Sequence, residues 1–142
     1  MFDSKNIEGI DILKRKIPKE LQYWHEFGRI SELHYRHIFD AESCAYIPCI
    51  ELFLTDMQNR YTIKMFLFHV HGLVSFDICN GFFSGLTIDD FSDRGYEKER
   101  RFHLSSFEQD IEFTIECEKI KVELVHENPD SHQNDENIKG VI

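Results

Sequence analysis

Basic residues are scarce in this sequence, and their scarcity excludes whole classes of partner. The 16 Lys and Arg stand against 26 Asp and Glu, which gives a formal net charge of −10. Such a surface repels phosphate backbones and anionic lipids, so we expect neither nucleic acid nor a membrane as a partner. The longest apolar stretch is also too short and too polar for a membrane span. The same charge favours and steers a basic protein partner.

Cysteine is present but not in a recognisable framework. Cys44, Cys49, Cys79 and Cys117 form no Cys-x-x-Cys motif and fit neither a zinc ribbon nor a disulfide scaffold. The N-terminus has no signal-peptide pattern. We therefore expect reduced, mostly buried thiols in a cytoplasmic protein.

Catalytic motifs are missing as well. There is no Gly-x-Ser-x-Gly, and no cysteine belongs to a local signature with a histidine. Gly81 and Gly85 flank Phe82 and Phe83 without the lysine or the helix that a phosphate-binding loop needs. The sequence thus predicts no enzymatic activity and no cofactor.

One apolar stretch, Tyr61–Ile78, organises the rest of the chain. Its first part alternates apolar residues on both faces, which predicts a central strand covered on both sides. Gly72 indicates a turn, and Leu73–Ile78 resumes as a shorter strand.

Six other segments also alternate apolar and polar residues and are predicted strands, and the placement of two of them is open. Pro48 suggests a strand end or an edge strand. The link Glu118–Lys119 leaves open whether the last two segments form a hairpin or one bulged strand. The predicted strands outside the central stretch are 30–39, 47–55, 84–90, 99–105, 111–117 and 120–124.

The N-terminal region predicts one or two helices. Residues 1–17 form a marginal helix or an arm, weakened by Gly9, and a second helix begins at Pro18 and ends at Gly28. Its aromatic residues Tyr23, Trp24 and Phe27 are either a binding platform or, as we favour, the face that docks on the sheet.

These segments together predict a mainly β (β-rich α+β) fold. We expect about seven antiparallel strands in a two-layer or barrel-like arrangement, with one or two N-terminal helices. A single domain over residues 1–125 is followed by a disordered acidic and polar tail over 126–142.

His69 and His71 are the strongest metal candidate. Residues two apart on a strand point to the same face, so both imidazoles can approach one ion. A third ligand would come from His34, His37 or His103. The alternative, which we favour, is that His69 ends a core strand and His71 precedes the turn at Gly72.

The acidic charge is concentrated in the C-terminal half. Residues 89–118 contain ten acidic residues against four basic ones. Usually such a run is only a solvated face, but it also suits a protein that covers a basic surface. The adjacent phenylalanines at 82 and 83 cannot easily both be buried in a turn, so one of them is a candidate anchor. The alternative, which we slightly favour, is a loop folded over the end of the sheet. The predicted partner-binding residues are Phe82, Phe83, Asp89, Asp90, Asp93 and Glu97.

Several spacings resemble one bacterial family. They are a helix with Trp24 and Phe27, a strand near His34, a Phe68-x-x-x-Gly72-Leu73 step and a closing Phe113-x-x-x-Cys117-x-x-Ile120-x-Val122. Over about 21–125 the chain resembles immunity protein 50 of polymorphic toxin systems.

The resemblance implies a non-enzymatic protein that binds and neutralises a cognate toxin. It supplies no catalytic motif and therefore no site residue. The acidic segment is compatible with a basic toxin such as a nuclease. The alternative function is a metal-dependent small-molecule-binding protein or enzyme that uses His69 and His71.

Overall fold

A computed structural model describes residue 2 and residues 6–71, 86–91, 98–106 and 113–127. In this part of the chain one α-helix and two 3-10 turns precede six β-strands, and a third 3-10 turn, Lys98–Arg100, lies between the fourth and fifth strands. The helix α1 is Ile10–Lys16, and the first two 3-10 turns are Lys19–Leu21 and Trp24–Phe27. The strands are β1 (Arg29–Asp40), β2 (Ala45–Thr55), β3 (Tyr61–His71), β4 (Leu86–Asp90), β5 (Phe102–Ser106) and β6 (Phe113–Glu127).

The strands form one antiparallel sheet in the order β1-β2-β3-β6-β5-β4. The predicted mainly β fold is therefore confirmed. The described strands differ from the prediction in arrangement, since six of them form one open sheet and not a barrel or a second β-layer. The predicted strand over residues 73–78 lies outside the described residues.

Pro48 does not mark an edge strand, because β2 lies between β1 and β3. In chain order, the first residue of β2 that pairs with β3 is Cys49, opposite Phe68. Pro48 therefore lies just beyond that pairing, where β2 has β1 as its only described neighbour, and its missing N–H is tolerated there.

The core lies on one face of the sheet. Rows of apolar side chains cross the central strands in register, as in the row of Leu52, Met65 and Val122. The N-terminal segment covers these rows with buried residues that include Ile10 and Leu13 of α1. The second layer of the fold is therefore helical.

The N-terminal segment reaches this position as an arm that hydrogen-bonds to β6. The Glu8 N–H donates to the Ile120 carbonyl at 3.0 Å, and the Val122 N–H donates to the Glu8 carbonyl at 2.8 Å. Gly9 then adopts a left-handed conformation with φ of +89°, and α1 begins at the next residue. Both predicted descriptions of residues 1–17 apply, because the arm and the helix follow one another.

The second predicted helix is wrong. Two separate 3-10 turns replace it, since Tyr23 between them is extended. The buried amide of Gln22 donates to the carbonyls of Lys14 and Ile17, which fixes the bend. The prediction that the aromatics dock holds for Trp24 and Phe27, which are buried, while Tyr23 is exposed.

The alternation of buried and less buried residues is interrupted in both β3 and β6, at positions that lie opposite each other in the sheet. Leu67 and Val70 are both buried although they are three residues apart, and so are Cys117 and Ile120. β6 is thus one continuous irregular strand and not a hairpin. It also runs through Glu127, two residues past the predicted domain end. Residues 128–142 lie outside the described part of the chain.

Candidate protein-binding surface

The hairpin of β1 and β2 carries four large apolar side chains that are exposed to solvent. The exposed fraction is 37% for Leu33, 55% for Tyr35, 53% for Phe39 and 70% for Tyr46. These four residues are called the hairpin aromatic surface below. Clusters of exposed apolar side chains are a common mark of protein–protein contact sites.

The register explains why these side chains share one face. Leu33, Tyr35 and Phe39 are separated by even numbers of residues along β1, and Phe39 lies directly opposite Tyr46. Leu33 lies opposite the core residue Leu52, so this face of the hairpin is the core face of the sheet. Residues two apart on a strand point to the same side.

The surface is exposed because the helical layer does not extend over β1. Helix α1 packs on β6, and the 3-10 turn Trp24–Phe27 packs on β4. In the described part of the chain β1 contributes to the core only through the partly buried Ile30. The apolar side chains further along β1 therefore face solvent.

The aromatic rings of the hairpin are arranged in edge-to-face pairs. The ring centroids of Phe39 and Tyr46 are 5.4 Å apart, and those of Tyr35 and His37 are 5.5 Å apart. Such contacts hold the side chains in defined positions. A partner therefore meets a preformed surface and orders few additional rotamers on binding.

Negative charge lies at the tip of the same hairpin. Asp40 is half-buried and Glu42 is exposed. The Asp40 carboxylate accepts hydrogen bonds from the Ser43 hydroxyl at 2.8 Å and the Ser43 N–H at 3.2 Å. The side-chain hydrogen bond from Ser43 lowers the pKa of Asp40. Asp40 therefore keeps its negative charge to a lower pH than an unperturbed aspartate.

Two of the predicted partner-binding residues, Asp89 and Asp90, fall on β4 at the opposite edge of the sheet from β1. Asp89 is exposed. The half-buried Asp90 accepts hydrogen bonds from Asn6 and, at 3.2 Å, from the Arg101 Nε. Phe82, Phe83, Asp93 and Glu97 lie outside the described residues.

Other acids of residues 89–118 have basic neighbours. Glu118 contacts the ammonium groups of Lys119 and Lys98 at 3.9 and 4.0 Å. Glu116 contacts the Arg100 guanidinium at 3.6 Å. The local excess of negative charge is therefore smaller than the residue count suggests.

The histidine pair is brought together by the irregularity in β3. His69 has a φ of +61°, and its ring centroid lies 4.4 Å from that of His71. The His69 Nδ1 lies 3.2 Å from the Glu118 carboxylate, at a cleft of about 310 Å³. The carboxylate fixes the orientation of this imidazole.

The predicted third ligands do not complete a metal site at this pair. Of these, His34 and His37 lie on β1, and His103 on β5 pairs with Glu116. Among the described residues, no three His, Cys, Asp or Glu side chains are grouped so that they could hold a metal ion. The metal-dependent alternative thus gains no support from this part of the chain.

Two of the three described cysteines are buried, as the sequence predicts for most of them. Cys49 and Cys117 are buried and Cys44 is exposed, and all three are free thiols. Burial raises the pKa of both Cys49 and Cys117. These two thiols are therefore packing residues and not nucleophiles.

The sequence reasoning missed the hairpin aromatic surface. The signal was present, since Leu33, Tyr35 and Phe39 alternate with the polar residues Glu32, His34 and Arg36. Alternation identifies an apolar face, but it does not show whether another layer covers that face.

Comparison with known proteins gives no relative for this chain. No family model, no curated protein and no solved structure matches it. No helix among the described residues is long and apolar enough to span a membrane.

Proposed function

We propose that this chain is a non-enzymatic binding protein that neutralises a cognate bacterial toxin with a basic surface. The observation that carries the proposal is the hairpin aromatic surface, Leu33, Tyr35, Phe39 and Tyr46, which is exposed on the core face of a hairpin whose tip carries Asp40 and Glu42. An apolar anchor with a charged rim is the anatomy of a protein-binding site.

The hairpin aromatic surface supplies apolar area that a partner can bury, which charge alone does not provide. Aromatic residues dominate the binding energy of many interfaces because they bury large areas at a small entropic cost. Tyr35 and Tyr46 each have an apolar ring and a hydroxyl that can hydrogen-bond across an interface. Their exposure above one half leaves both rings accessible to a partner.

Charge supports the same proposal through the rate of association. The net charge of −10 attracts a basic toxin over the Debye length. Asp40 and Glu42 place negative charge at the hairpin tip, where both line the cleft beside His69. Asp89 adds an exposed carboxylate on the far edge of the sheet. Charge of this kind raises the association rate more than it slows dissociation.

The test is co-expression with a candidate toxin whose gene lies next to the gene of this chain, followed by affinity measurement. The double variant Tyr35→Ala/Tyr46→Ala should weaken binding by about 30-fold or more, the size expected for loss of an anchor. Both side chains are exposed, so the fold should persist. Met57→Ala is the matched control, because Met57 is also exposed but lies in the turn after β2.

The contribution of charge needs a separate variant. Asp89→Lys is suitable, whereas Asp90→Lys would also break the contact with Arg101. The Asp89 variant should slow association and reduce its salt dependence. Binding that is unchanged in the tyrosine variant would show that the toxin contacts another surface. Cells that stop growing although this chain is co-expressed with the toxin would reject the toxin-neutralising function.

A further inference from the structure

We infer that β1 pairs through its outer edge with β1 of a second copy, forming an antiparallel dimer with one continuous sheet. β1 is an edge strand of 12 residues, Arg29–Asp40, and pairs with β2 on one side only. No described residue pairs with its other side. The second edge of the sheet, β4, has only five residues.

The edge has few of the features that prevent pairing. Natural edge strands are protected by prolines, inward-pointing lysines, bulges or short length. β1 contains no proline and no lysine, and its one irregularity lies near its start, between Ile30 and Glu32. The segment from Glu32 to Asp40 pairs regularly with β2 and is long enough to accept a further strand.

The sequence of β1 is self-complementary in one antiparallel register. If His34 lies opposite His34 of the second copy, Glu32 lies opposite Arg36 of that copy, and the symmetry forms this pair twice. In the same register Leu33 lies opposite Tyr35, so apolar side chains meet on the core face. Opposite charges and aromatic–apolar pairs across strands are the stabilising combinations in antiparallel sheets.

Other registers lose these pairings. With Arg36 opposite itself, two like charges meet on the symmetry axis, and Glu32 lies opposite Asp40. With His37 opposite itself, Asp40 must pair with His34, although its carboxylate already accepts two hydrogen bonds from Ser43. Charge complementarity therefore selects the register centred on His34.

Both charged residues of the register are available for it. The Arg36 guanidinium contacts Glu51, but 56% of its side chain is exposed, and a guanidinium has five donors. The Glu32 side chain is 59% exposed and has His34 as its described ionic neighbour, at 3.8 Å. Arg36 can therefore bind Glu51 and Glu32 of the second copy together.

Sedimentation equilibrium of the full chain, without toxin, tests the dimer. The unmodified chain should show a concentration-dependent dimer. Glu32→Arg should weaken dimerisation by at least tenfold, because two attractive pairs become repulsive. Glu42→Arg is the matched control, because it makes the same charge change on the same hairpin but outside the paired strand. A chain that is monomeric at all concentrations would overturn the inference.

Cysteine cross-linking tests the register. In a Cys44→Ser background, His34→Cys places one thiol opposite its own copy, within the Cα separation that a disulfide spans. It should form a disulfide-linked dimer under mild oxidation, relative to the background protein. His37→Cys should not. Cross-linking at residue 37 instead of 34 would overturn the proposed register.

The dimer goes beyond the proposed function and is measured independently of it. The hairpin aromatic surface lies on a face of the sheet and not on its edge, so it stays accessible from that face when two β1 strands pair, although Leu33 and Tyr35 then contact each other across the two copies. The two copies of this surface then adjoin across the symmetry axis. A dimer without toxin binding, or toxin binding by a monomer, would separate the two conclusions.

Discussion

Replacing Gly9 by alanine should be among the most damaging single changes on the surface of this protein. Gly9 has a φ of +89°, a left-handed conformation that costs about 1–2 kcal/mol for a residue with a Cβ. A Cβ at this position would lie 2.1 Å from the Val122 carbonyl oxygen. Because that oxygen belongs to the backbone of a central strand, the arm must move.

The arm cannot move without losing its attachment. Its two hydrogen bonds, from Glu8 to Ile120 and from Val122 to Glu8, contribute about 0.5–1.5 kcal/mol each. Together with the conformational cost, the free energy of unfolding should fall by about 2–5 kcal/mol. Displacement of the buried residues Ile7 and Ile10 would add to this loss.

Urea denaturation followed by tryptophan fluorescence measures this effect. Trp24 is the single tryptophan and stacks on Phe2 at 4.3 Å, so its emission reports on the docked N-terminal segment. Gly28→Ala is the matched control, because Gly28 has a φ of −81° that alanine adopts freely.

A third variant separates the cost of the left-handed conformation from the clash between the new Cβ and the Val122 carbonyl oxygen. Asparagine tolerates the left-handed region better than alanine but carries the same Cβ. Gly9→Asn should therefore be nearly as unstable as Gly9→Ala if the contact with Val122 dominates. A loss below about 1 kcal/mol in Gly9→Ala would refute the reasoning, since the conformational cost alone is that large.

Two further predictions concern buried polar groups. Asp56→Ala should lower the free energy of unfolding by about 2–4 kcal/mol, because the buried carboxylate accepts hydrogen bonds from the N–H groups of Gln58, Arg60 and Tyr61. Met57→Ala, in the same turn, should change it by less than about 0.5 kcal/mol in the same urea titration. Burial raises the pKa of Cys117, so the folded state keeps a proton that the unfolded state releases, and stability should fall as pH rises above the usual thiol value. Between pH 7.5 and 10 this amounts to about 2 kcal/mol, and urea titrations of Cys117→Ala should show a correspondingly smaller decrease. An equal decrease in the variant would assign the alkaline loss to other groups.

The strand pattern was predictable because period-two alternation is a local property. Leu52 and Leu54, like Ile63 and Met65, are two residues apart on their strands and form the buried core rows, while Phe53 and Lys64 between them are less buried. β3 is central in the strand order, since it pairs with β2 and β6. The predicted cover on both of its faces is wrong, because the core lies on one face and Phe66 and Phe68 on the other face are only half-buried.

The helical content was harder to predict because the decisive contacts are distant in sequence. Gly9 weakens a helix in isolation, yet here it provides the turn by which the arm passes β6 and begins α1. The bend at Gln22 depends on its hydrogen bonds to Lys14 and Ile17, which are not visible as a periodic pattern.

The candidate site was missed for a related reason, which is the amount of chain available to cover the sheet. Six strands at a spacing of about 4.8 Å span about 24 Å between the outermost strand axes. A seven-residue helix is only about 10 Å long and about 10–12 Å across. Because α1 packs on β6 and the second 3-10 turn packs on β4, the described N-terminal segment does not cover the face of β1. Tyr35 and Phe39 continue the apolar face of the core but lie beyond this cover. In the described part of the chain, the end of this cover before β1 exposes the anchor proposed for the toxin, and the position of β1 at the end of the strand order gives it the free edge proposed for a second copy.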